Sequence, residues 1–104
     1  MRLESLEIAQ IKRTIENFIS HDCYQLFLFG SRADPKKQGG DIDLLLVLNK
    51  KAPAKRVIIG KKPEILVEIK EKIGEQKIDL VIAEQEELSL DPFLREIIKK
   101  AIKL

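Results

Sequence analysis

Five apolar residues, Leu44 to Leu48, follow without interruption on Asp41-Ile42-Asp43. A run of that length and composition fits a strand, Ile42 to Leu48. With no polar residue among the five, both faces of the strand beyond its first residues must be covered. The chain must therefore bring helices onto a sheet.

The flanking sequence supplies the other layers. Ile8, Ile11, Ile15, Phe18 and Ile19 recur at three- and four-residue steps, which predicts a helix over Ser5 to Ser20 capped by Ser5. Tyr24 to Phe29 is a short apolar and aromatic run ending at Gly30, read as a buried strand. Ser31 to Ala33 is expected to start a short helix, and Asp34 to Gly40 is a polar loop broken by Pro35, Gly39 and Gly40. Asn49 to Gly60 reads as irregular, with Val57-Ile58-Ile59 a weak candidate strand. Pro63 suits the first turn of a helix ending near Gly74, with Ile65, Leu66, Ile69 and Ile73 on its buried face. Ile78 to Ala83 reads as a third strand. Asp91-Pro92 then reads as the N-cap and first residue of an amphipathic helix carrying Phe93, Leu94, Ile97, Ile98, Ala101 and Ile102. The expected fold is a small mixed α/β (α+β) domain, about three strands packed with helices, filling 1–104 as one unit.

Composition narrows the function classes. Lys and Arg total 19 against 17 for Asp and Glu, so the net charge of +2 gives no general case for wrapping nucleic acid. No apolar stretch approaches the ~20 residues of a membrane-spanning helix, and Met1 to Glu7 has no apolar h-region of a signal peptide. The lone Cys23 excludes an internal disulfide, fits a reducing cytoplasm and reads as a small core hydrophobe.

Asp41 and Asp43 stand two apart at the mouth of a strand, where side chains alternate faces. Both carboxylates therefore point one way, while Ile42 and Leu44 point toward the core. Like charges so placed repel unless a cation lies between them, and Mg2+ takes carboxylate oxygens while leaving positions for water and phosphate. Alone, Asp-x-Asp before an apolar run is common. Gly30-Ser31 adds weight, because a glycine after a buried strand lets backbone approach a ligand, and a helix start can hold phosphate. Asp79 adds more, because a carboxylate within the apolar strand Ile78-Asp79-Leu80-Val81 is costly without a compensating partner.

Phe29-Gly30-Ser31-Arg32, a gap, then Asp41-Ile42-Asp43-Leu44 resembles the signature of the polymerase-β-type nucleotidyltransferase superfamily. The short chain and the Gly-Ser-Arg form resemble its minimal nucleotidyltransferases, the MNT proteins. The resemblance is densest from Leu26 to Val47 and elsewhere rests on element order. It implies that Gly30 and Ser31 hold the β- and γ-phosphates of ATP; Arg32 reads equally as a charge-assisted phosphate contact and as a surface Arg paired with a nearby acid. It also implies that Asp41 and Asp43 ligate magnesium and that Asp79 is the third carboxylate, activating the attacking hydroxyl. The implied reaction is attack of a hydroxyl on the α-phosphorus with loss of pyrophosphate. MNT proteins pair with helical HEPN ribonucleases as antitoxins, in some cases by transferring AMP to a HEPN Tyr. A HEPN partner and a homo- or hetero-oligomer are therefore expectations of the resemblance. Its alternative is a non-catalytic antitoxin that neutralises the ribonuclease by stoichiometric binding. Transfer to a small molecule ranks lower, since no segment is left to bind such an acceptor.

Other charged residues read as surface. Lys36, Lys37, Lys50, Lys51, Lys55, Arg56, Lys61 and Lys62 are a solvated basic stretch unless they fold beside the site. His21 closes the first helix, where an imidazolium suits the dipole. Phe93 and Leu94 are expected in the core, with an apolar patch for a partner as the alternative.

Overall fold

The computed structural model describes residues 3–33 and 41–104. The polar loop expected at 34–40, with Lys36 and Lys37, lies outside the described residues. The two central strands are β1, Tyr24–Phe29, and β2, Ile42–Leu48. They pair antiparallel, with Leu28 opposite Leu44 and Phe29 opposite Asp43. Strand β3, Ile78–Glu84, joins β2 in parallel, and a short β4, Ile102–Lys103, joins β1 antiparallel. The sheet order is β3-β2-β1-β4.

The alternation of the strands sorts the core into two. Leu26, Leu28, Leu44, Leu46 and Leu80 face one way and pack with Ile11 and Ile15 of helix α1, Ser5–Glu16, and with Ile58, Ile65 and Ile69 of helix α2, Lys55–Ile73. Leu45, Val47 and Ala83 face the other way and pack with Leu94 and Ile97 of the last helix. Helices therefore cover both faces of β2, as its unbroken apolar run requires, and Leu44, Leu45 and Leu46 are fully buried.

Several boundaries differ from expectation. Helix α1 ends at Glu16 rather than Ser20, because Asn17 and Phe18 donate to Thr14 and Ile15 three residues back and tighten the last turn. Ile19 is buried all the same. Its N-cap is Glu4, not Ser5: a capping box joins Glu4 to Glu7, whose Oε1 accepts from the Glu4 N–H at 3.2 Å. His21 sits in a 3-10 turn, His21–Cys23, after that helix.

The largest correction is α2. It starts at Lys55, so Val57-Ile58-Ile59 is helical and Pro63 lies inside the helix rather than at its first turn. Proline in a helix interior removes one backbone bond and costs ~3 kcal/mol. Complete burial of Ile58, Ile65 and Ile69 at ~1.5–3 kcal/mol each outweighs that cost. The helix ends as expected before Gly74, whose φ of 96° few other residues adopt.

A short helix α3, Glu87–Leu90, follows the turn after β3. Helix α4, Pro92–Lys100, is capped as predicted, Asp91 Oδ1 accepting from the Phe93 N–H at 2.8 Å and the Leu94 N–H at 3.3 Å. The chain then turns extended, so Ala101 and Ile102 are not helical and Ile102 enters β4. Leu94 is buried as expected, whereas Phe93 is 60% exposed. Among the described residues no helix is long and apolar enough to cross a membrane.

Candidate active site

The parallel pairing of β2 with β3 assembles the carboxylates. Ile42 lies opposite Ile78 and Asp43 opposite Asp79. The Ile42 N–H donates to the Lys77 carbonyl at 2.9 Å, so the alignment extends one step before the strands. Asp41-Ile42-Asp43 and Lys77-Ile78-Asp79 thus run side by side. Ile42 and Ile78 anchor the shared row in the core, at 0% and 7% exposure. Asp43 and Asp79 stand on the opposite face, the face that carries Leu45, Val47 and Ala83 farther along. The sheet therefore presents acids at one end and an apolar seat for α4 beyond them.

Asp43 is the electrostatic centre of the group. Its carboxyl is held above the usual carboxylate range, first by desolvation, then by the charges of Asp79 and Asp41, with Lys77 opposing. The Lys77 ammonium lies 3.6 Å from Asp41 Oδ2. Both side chains are exposed, so the pair is weak and screened. The partial alignment of the triplets, Asp or Lys, then Ile, then Asp, is the sequence signal that brings Lys77 beside the acids.

Gly30 closes the site from the β1 side. It follows Phe29, the register partner of Asp43, and opens the 3-10 turn Gly30–Ala33 where a short helix was expected. Its φ is 73°, a region that disfavours side chains. A Cβ built on it would also run into the Asp43 carboxylate. Glycine is thus required twice over, by backbone conformation and by close approach. The backbone of Ser31 and Arg32 continues the turn; their side chains lie outside the described set.

The structure brings Gly30, Asp41, Asp43 and Asp79 to one end of the sheet and leaves His21 and Cys23 near the start of β1, at the other end. Cys23 is a core residue, and its thiol is pushed up by burial and by the Asp22 charge, as an inert hydrophobe requires. Lys55 is committed to Glu87 at 2.8 Å and belongs to the start of α2, away from the acids.

Oxygen-only donors with mutual repulsion suit a hard divalent cation. Among the described residues no three acidic, His or Cys side chains converge closely enough to cage an ion unaided. The acids fit a site whose remaining ligands are phosphate oxygens and water.

A four-stranded mixed sheet covered by helices carries the acids at the mouths of two parallel strands. Residues 9–104 match the model of the polymerase beta nucleotidyltransferase family, and the chain belongs to that family. A candidate nucleotidyltransferase from Sulfolobus solfataricus, known from its crystal structure, has a similar fold. It is 16% identical, with a TM-score of 0.51 over 93% of this chain and 80% of that one. At that identity the likeness concerns the fold. No curated protein matches the chain significantly.

Proposed function

We propose that the chain transfers AMP from ATP to a hydroxyl, with Asp41, Asp43 and Asp79 holding Mg2+. The observation that carries this reading is the register of Asp43 with Asp79 beside Gly30, within a nucleotidyltransferase fold. Bound magnesium would neutralise phosphate charge and polarise the α-phosphate. Gly30 and Ser31 would seat the β- and γ-phosphates, and Arg32 would add a charge-assisted contact. Asp79, exposed at the strand mouth, would take the proton of the attacking hydroxyl. The acceptor oxygen bonds to the α-phosphorus, the bond to the β-phosphate oxygen breaks, and pyrophosphate leaves.

The acceptor we assign is a Tyr of a helical HEPN ribonuclease, which makes the chain an antitoxin of the cytoplasm. Support for that step is the resemblance of the Gly-Ser-Arg form to MNT proteins. The test combines the chain, ATP and Mg2+ with a HEPN protein encoded beside it. An adenylyl group on a Tyr, with loss of ribonuclease activity, is expected. Ribonuclease inhibition that survives Asp43→Asn, with no adenylylated Tyr, would replace catalysis by stoichiometric binding.

A further inference from the structure

Helix α2 lays one face on the sheet and turns another to solvent. Arg56, Gly60, Pro63, Val67 and Glu71 recur at four- and three-residue steps and are all exposed. Val67 is 56% exposed, and Ile59 flanks the stripe at 46%. A shallow groove of about 350 Å³ runs beside Pro63, Glu64, Val67 and Glu68.

Gly60 has no internal explanation. It lies mid-helix, where glycine is poorer than almost any other residue, and its φ is not positive. A Cβ there would meet nothing within 4 Å. The open space lies outside the chain, on the outward stripe.

The stripe is its own complement when reversed. An antiparallel copy centred between Pro63 and Glu64 sets Gly60 opposite Val67, so that each valine enters the space above a glycine. The same register sets Arg56 opposite Glu71. Neither is ion-paired among the described residues. Two-fold symmetry makes each contact twice.

We propose that a second copy of this chain docks on the outer face of α2, antiparallel, with Val67 against Gly60 and Arg56 against Glu71. The helix is about 28 Å long. A contact confined to one helix pair falls below the ~1,200 Å² of a stable interface, so the dimer is weak, with a Kd on the order of 10–100 μM. The inference is independent of the proposed reaction.

Sedimentation equilibrium of the full chain tests it. The weight-average mass should climb from 11.9 kDa toward twice that value between ~5 and ~500 μM. Gly60→Leu should raise Tm, because a leucine replaces a mid-helix glycine, yet keep the protein monomeric. Arg56→Glu should also be monomeric, and Arg56→Glu combined with Glu71→Arg should dimerise again. Wild type that stays at 11.9 kDa throughout would overturn the proposal. So would a Gly60→Leu variant that still dimerises, or a double charge swap that does not recover association.

Discussion

Gly30 and Asp43 form one physical unit. Glycine is the residue that tolerates φ of 73° while leaving the Asp43 carboxylate in place. Gly30→Ala should therefore cost ~1–3 kcal/mol of stability in chemical unfolding, and abolish activity as Asp43 is displaced. In an Asp43→Ala background part of that stability loss should vanish, since the clash has no partner. Asp43 itself stores strain of the opposite kind. Because its folded pKa is raised, its contribution to stability is fully present below pH ~3.8 and is lost as pH rises through the folded value. Asp43→Asn should thus raise Tm at neutral pH in chelator, and the gap over wild type should close below pH ~3.8. The same variant should lose nucleotidyl transfer by at least ~10³-fold. The acids were legible in the sequence because carboxylates at strand positions are costly. Lys77 was not, because its meeting with Asp41 depends on a parallel register that no single segment states.

Strands were more legible than helices at the level of elements. Tyr24–Phe29 and Ile42–Leu48 stand where the apolar runs put them, because a buried strand announces itself by composition. The start of helix α2 is hidden in the sequence because proline is usually a first-turn signal, whereas here tertiary burial of Ile58, Ile65 and Ile69 carries the helix through it. Pro63→Ala should then stabilise the protein by ~1–3 kcal/mol, measured by urea unfolding, since it restores a backbone bond within an intact helix. Strand β4 was hidden because Ile102 continues the apolar pattern of α4, and only pairing with Phe27 and Leu28 makes Ile102 and Lys103 extended. The turn between β3 and α3 is tied by Glu87, which accepts from the Glu84 N–H at 2.9 Å and from Lys55 at 2.8 Å. Lys55, then the Glu84 N–H, hold its carboxyl below the usual range. Its stabilising effect is therefore present above pH ~4.5 and is lost as pH falls through the lowered folded value. Glu87→Gln should cost ~0.5–1 kcal/mol at pH 7 and much less near pH 3.

The whole molecule divides its sheet between two tasks. One face is sealed by α1 and α2; the other supports α4 on Leu45, Val47 and Ala83 and leaves its end to the acids. Burial along β2 places Asp43, with Asp41 just before the strand, without using either for packing. Family membership and the fold account for nucleotidyl transfer as a class, and the gathered acids beside Gly30 are where we propose it takes place. Neither the motif nor the sheet defines a surface for the proposed acceptor, which is why the sequence spoke more clearly about chemistry than about biology. The most direct test compares ATP labelled at the α-phosphate with ATP labelled at the γ-phosphate, each with Mg2+, the chain and its hydroxyl acceptor. The account predicts transfer of the α-label alone, release of pyrophosphate, and no transfer by Asp43→Asn. Transfer of the γ-label, or equal α-label transfer by wild type and Asp43→Asn, would contradict it.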